Sequence, residues 1–370
     1  MVNRYFHYLI FINILINVFM FIPSILLSER YKGALISMII GIFIGTAILL
    51  LFVRSINNFR KQTIIDIIDL VPKWFRIVFL LFLVFLWFTA GMVTLLAFTN
   101  VTVRFLNPEM PSISMHLIFL GFIVFMLYTL KTEKILHTLE IILVLNVPFL
   151  LLILYQAYVN SYLSVNSILE AGTQLWEVPS LKAIAASSFV FSGYANLVVF
   201  NRAFDIPFKV KHLWYVPLVC AFALCTSFFI PIGMWGMDGV TDLTFPWIAT
   251  ADTFRIEYGP IERVISLFIL TYISLSLISV IIHWHVAYEI LKNLLKIRDR
   301  KIKAHRYGEI TILTVFSGIV LVIEHFLRER QILRMGEMWL IFRLPGELLL
   351  LIVVLMIARR RLRGASLKQN

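Results

Sequence analysis

Arg343 and Glu347 stand four residues apart and flank Pro345–Gly346 inside an otherwise apolar run. A spacing of i and i+4 puts both side chains on one helix face, within pairing distance. Charges among apolar neighbours are costly and by default mark function, so two readings stand: a structural pair that neutralises itself, or a gate or subunit contact. Glu140, Glu324 and His325 are further ionisable groups in apolar surroundings; Glu140 lies near the end of its run and can snorkel.

Uncharged polar residues form stripes. Asn13, Asn17 and Ser24 share one helical face, and so do Tyr272, Ser276, Ser279 and His283; Thr94 follows Gly91 by three. The run Ser187–Ser188–Phe189–Val190–Phe191–Ser192–Gly193–Tyr194–Ala195–Asn196 holds a glycine, three serines and an asparagine in one apolar stretch. Such groups serve either as interhelical glue, at about 0.6 kcal/mol per contact, or as ligands for the carboxylate and ammonium of a zwitterion beside interrupted helix ends. His283 and His285 stand at i and i+2, on opposite helix faces, so no metal site is expected. The chain has no phosphate-cradling glycine loop, no paired cysteines for zinc or iron–sulfur and no serine elbow. Neither an enzyme nor a cofactor is expected.

These groups are set in a chain of 370 residues that is 60% apolar and 15% charged, with a mean hydropathy of +0.90. Soluble domains hold roughly 45–50% apolar and about 25% charged residues, so a soluble globule and a disordered chain are both excluded. Runs long enough to cross a bilayer core of about 30 Å fall at ten places: 5–27, 33–53, 77–103, 114–130, 135–157, 182–201, 213–235, 262–290, 308–327 and 337–358. They leave no room for a separate soluble domain. Residues 1–370 therefore read as a single integral membrane domain that ends in a basic tail, 359–370. Cys220 and Cys225 share one span and read as small apolar filler.

The net charge of +12 also has a place. With the loops assigned alternately from an inner N-terminus, 23 of the 33 Lys and Arg fall inside and 13 of the 21 Asp and Glu outside. Both termini are therefore expected in the cytoplasm, and the basic excess needs no nucleic-acid partner. Ten spans also suit a five-helix unit repeated in inverted orientation, about 5–157 and 182–358, with a ligand held where the first helix of each half is interrupted. Pro23 in the first span and the Ser-Gly-rich run in the sixth are the corresponding interruptions.

Phe189–Val–Phe–Ser–Gly–Tyr194 resembles the sixth-helix element of the spore germination B-subunit (GerAB-like) family. Phe245–Pro246–Trp247, with Gly259–Pro–Ile–Glu262–Arg263, is similar to the outer segment that opens helix eight in that family. The resemblance covers nearly the whole chain. It implies an amino acid–polyamine–organocation transporter fold, with ten helices in a LeuT-like 5+5 inverted repeat and helices 1 and 6 interrupted. It also implies a subunit of a nutrient germinant receptor in the spore inner membrane, acting with an A-type subunit and a C-type lipoprotein on an amino acid or similar nutrient. The ligand contacts carried over are Asn17 in helix 1 and Ser192, Gly193 and Tyr194 in helix 6, with Thr94 and Tyr272 facing the same cavity; the polar stripes and the Ser-Gly-rich run add Asn13, Phe191, Asn196 and Ser276 to the candidate ligand-binding residues. Two departures stand out: Ile16–Asn17 replaces the usual helix-1 glycine, and Ala195 the acidic residue that often follows the helix-6 element. The missing carboxylate removes an obvious ammonium partner and points to a less cationic ligand, or one bound by carbonyls alone. The rival readings are a secondary transporter of amino acids coupled to H⁺ or Na⁺ and a structural partner with a vestigial pocket.

Overall fold

A computed structural model of the chain describes residues 3–19, 21–255, 263–297 and 302–366. Among the described residues there are helices and no strand, only an isolated bridge between Arg255 and Arg263. The expected spans appear as α1 (Arg4–Phe19) with α2 (Phe21–Ser28), α3 (Ala34–Ile56), α5 (Lys73–Leu106), α6 (Ser112–Thr129), α7 (Thr132–Val159), α9 (Leu181–Phe189) with its continuation, α11 (Tyr215–Gly239), α13 (Val264–Leu294), α14 (Lys303–Phe326) and α15 (Glu329–Ser366). The short helices between them are α4 (Ile64–Ile67), α8 (Val165–Gly172), α10 (Leu197–Phe200) and α12 (Pro246–Thr253). Among the described residues, eight helices are long and apolar enough to cross a membrane, and two bent pairs raise the count to ten if each pair is one span. The protein is thus an all-helical polytopic membrane protein. Side chains such as Phe43, Leu117, Val144 and Phe326 stay exposed on its outside, as lipid-facing positions require.

Both breaks have local causes. Proline clashes with the carbonyl four residues earlier. For Pro23 that residue is Phe19, the last described residue before the bend. Pro23 itself lies in α2, on the far side of the bend. α1 and α2 meet at 50°. In the sixth span, Ser187 and Ser188 turn their hydroxyls back to the carbonyls of Ala183 and Ala185, a bond that competes with the helix ladder. α9 ends at Phe189, and the chain continues through tight 3₁₀ turns, Ser192–Asn196 and Asn201–Ala203 on either side of α10, bent by 62°.

The two broken spans pack on each other, α1 against the Ser192–Asn196 turn. Gly193 permits that approach: a Cβ there would lie 2.2 Å from the Leu9 carbonyl oxygen and 2.6 Å from Ile10 Cα. α13 packs against α5 and α7, and α15 against α3, α5 and α9. The breaks thus face a shared centre bounded by α5, α13 and α15.

Candidate functional site

Arg343 and Glu347, both in α15, are almost fully buried and in direct contact. Their remaining partners lie across the break in the sixth span. Arg343 Nη1 donates to Ser192 Oγ at 2.6 Å, and Nη2 donates to Ser188 Oγ and the Ala185 carbonyl, each at 3.0 Å. Glu347 accepts from Ser192 Oγ at 3.0 Å and from the Tyr194 hydroxyl at 2.7 Å. The guanidinium also lies 4.9 Å from the centre of the Phe189 ring. A buried ion pair is tolerable only when hydrogen bonds satisfy its remaining valences. Here one donor stays unmatched: Arg343 Nε has no hydrogen-bond partner among the described residues.

Beside the pair lies a cavity in two chambers. The larger, about 40 Å³, is lined by Arg343, Glu347, Ser192, Ala195, Asn196 and Trp87 together with shared walls. The smaller, about 20 Å³, reaches Asn17, Thr94 and Ser279. Ala90, Phe189, His283 and Trp339 wall both. His283 Nδ1 lies 2.7 Å from the Ser279 carbonyl oxygen. A carbonyl only accepts, so the ring proton sits on Nδ1 and Nε2 is an acceptor. The cavity thus combines a guanidinium, a carboxylate, an imidazole acceptor, hydroxyls and indole walls, a set that suits a small zwitterion. At roughly 10–15 Å³ per water, the larger chamber holds about three waters and no amino acid.

The residues expected from sequence divide into those at the cavity and those that position it. Asn17, Thr94, Ser192, Asn196, Arg343 and Glu347 line it, and Tyr194 touches it through Glu347. Asn13 instead holds the break. Its Nδ2 donates to the carbonyls of Phe189 at 2.6 Å and Val190 at 3.2 Å, and its own carbonyl accepts from Asn17 Nδ2 at 2.8 Å. Gly193 seats α1. Phe191 points the other way, onto Gly45 of α3. Tyr272, stacked on Phe268, and Ser276 are buried in α13 but line neither chamber. Arg263 lies at the start of α13, 2.9 Å from Asp252, and Glu262 falls outside the described residues. Sequence reasoning missed Trp87, Ala90, Phe189 and Trp339. Trp339 was within reach, since it precedes Arg343 by four and shares its face.

A second, polar chamber of about 550 Å³ opens at the end of the bundle where α7 begins and α13 ends. Arg202 meets Glu289 at 2.8 Å, and Lys292 meets Glu289 at 3.4 Å and Glu309 at 2.9 Å. Thr132 Oγ1 lies 2.9 Å from His285 Nε2 and accepts from Arg202 Nε at 3.0 Å. This network joins α7, the end of the sixth span, α13 and α14. His283 and His285 therefore serve different chambers, and among the described residues no group of three His, Cys, Asp or Glu could hold a metal ion.

No curated protein matches the chain. Residues 3–332 match the family described as spore germination protein, so the cavity face of α15, with Trp339, Arg343 and Glu347, lies just beyond the matched part. On that match, with helices fit for eight to ten membrane crossings, the chain belongs to the spore germination protein family and is one of its multi-pass integral membrane proteins.

Proposed function

We propose that the chain is the B-type subunit of a spore nutrient germinant receptor, and that it binds an amino acid or similar small nutrient between its two broken helices. The observation that carries this reading is the Arg343–Glu347 pair. It is held across the break by Ser188, Ser192 and Tyr194 and lines a cavity with one guanidinium donor unmatched. A nutrient carboxylate finds Arg343, and its ammonium finds Glu347 and His283 Nε2. Glu347 reaches the chamber wall that Ala195 also forms, so α15 supplies the carboxylate missing from the helix-6 element. Nothing in this reading requires a covalent step, a cofactor or a metal.

The chambers are too small for a nutrient, so binding requires an opened packing in which Phe189 and Trp339 have moved apart. A ligand shifts such an equilibrium only by preferring one packing, about 1.4 kcal/mol for each tenfold of preference. Because α15 is tied to the sixth span and Asn13 ties the first span to it, opening moves all three together. The two breaks are the expected centres of a 5+5 inverted repeat of the amino acid–polyamine–organocation superfamily, with both termini cytoplasmic as the charge bias requires. The altered packing then reaches an A-type subunit and a C-type lipoprotein in the spore inner membrane.

A secondary transporter coupled to H⁺ or Na⁺ is the second reading. It draws on the large polar chamber beyond the cavity, bounded by the same helix α13. Proteoliposomes holding this chain alone decide between the two: gradient-driven uptake of labelled amino acids contradicts a pure receptor. Spores carrying Glu347→Gln test the site itself. Loss of nutrient response with normal protein level supports it, and an unchanged response contradicts it.

A further inference from the structure

A third cavity, about 530 Å³ and almost wholly apolar, lies on the side of the bundle. Its floor is α1, the first broken helix, through Phe11, Leu15 and Val18; Val144 and Val147 of α7 form one wall and Phe222 of α11 the other. α1 packs against both wall helices. Val144 and Phe222 remain 63% and 54% exposed, so the groove is open sideways to the bilayer.

Its two ends differ. At one, the Tyr158 hydroxyl and Thr226 Oγ1 meet at 2.5 Å and bridge the two walls. At the other, the walls are polar: Tyr5 bonds Glu140 and His137, and Tyr215 bonds His7 Nδ1 at 2.5 Å. Around that end stand Arg4, paired with Glu140, and exposed Lys134 and Lys211, each about one turn from those bonds. Among the described residues neither lysine forms an ion pair. Trp214, 71% exposed, follows Lys211 by three residues, the kind of aromatic anchor that membrane proteins place at the headgroup level.

We infer that this groove is a binding site for one anionic glycerophospholipid of the leaflet next to the N-terminus. One acyl chain lies along α1 between α7 and α11, and the phosphate lies at Lys134 and Lys211. The bridged end stops the chain, so the seated lipid has its headgroup at the basic end. A partner's transmembrane helix is the weaker occupant, because it would bring apolar surface to the lysine end without an anion to meet it. The seated chain presses on α1 just before its break, so the lipid favours one packing of the first span.

The test uses the full-length chain in phosphatidylcholine nanodiscs doped with phosphatidylglycerol carrying a photoreactive group on its acyl chain. The expected result is adducts concentrated on Phe11, Leu15, Val147 and Phe222. Labelling should fall about fivefold for each of Lys134→Gln and Lys211→Gln, as expected for one cation near an anionic headgroup, and should be lost with Val144→Trp. Val144 faces lipid, so that substitution fills the groove without entering the core. Equal labelling by a phosphatidylcholine probe or adducts spread evenly around the bundle would each overturn the inference, as would a partner subunit's helix cross-linked in the groove when the chain is reconstituted with its partner subunits.

Discussion

The side-chain amide of Asn13 donates to the carbonyl of Phe189, 176 residues later, at 2.6 Å. Phe189 is the last residue of α9, so an asparagine from the first span donates to a carbonyl at the break in the sixth. Asn13→Ala should lower the stability of the purified chain by about 1–2 kcal/mol, the cost of a buried carbonyl left unpaired. Thermal unfolding in detergent checks this. Asn13→Asp, which offers an acceptor where a donor is needed, should cost more than alanine.

Arg343 and Glu347 should behave as a unit. Removing either alone leaves a buried charge uncompensated, at about 3–5 kcal/mol. The double replacement Arg343→Met with Glu347→Leu should be far milder than the sum of the single changes, yet should still abolish the nutrient response. A double-mutant cycle on unfolding, with the response measured in parallel, separates the two roles. Additive destabilisation would show that the pair is not coupled.

Gly193→Ala should destabilise by about 1–3 kcal/mol, because its Cβ meets the backbone of Leu9 and Ile10 and not a side chain that can turn aside. Gly121→Ala is the matched control, with nothing within 4 Å of its Cβ. It should be neutral or slightly stabilising, since alanine is the better helix former.

Much of this site can be read in the sequence, because its causes are local. Pro23 removes the backbone donor that would bond Phe19 where the first span bends, and the serines before Gly193 weaken α9 from within. The i, i+4 spacing of Arg343 and Glu347 fixes their pairing wherever their helix goes. The rotation of each helix about its own axis is not local. Phe189 and Phe191 are two residues apart in a run of one composition, yet one walls the cavity and the other fills the gap at Gly45. Tyr272 and Ser276 share a stripe with Ser279 and His283, but α13 is buried on nearly every side, so a polar stripe does not reveal which neighbour it meets. The Arg202–Glu289–Lys292–Glu309 network was hidden for a similar reason: its members come from three separate elements and converge only in the folded bundle.

That network should brace the walls of the polar chamber and limit access to its depth. Replacing Arg202 with Ala removes the bonds to Thr132 and Glu289 that join α7 and the sixth span to α13. In a Cys225→Ser background, with Cys220 buried, a cysteine at Tyr288 should react faster with a membrane-impermeant thiol reagent once Arg202 is gone. An unchanged rate would mean that the network does not brace the chamber.

The most direct test of nutrient binding between the two breaks is the thermal unfolding of the purified full-length chain against a panel of L-amino acids, with Glu347→Gln and Glu140→Gln measured beside it. At least one amino acid should raise the midpoint of the wild type saturably. The apparent affinity should fall about tenfold or more with Glu347→Gln, for loss of an interaction worth about 1.4 kcal/mol, and should stay unchanged with Glu140→Gln, which lies outside the cavity. A saturable shift that survives Glu347→Gln undiminished would contradict the account.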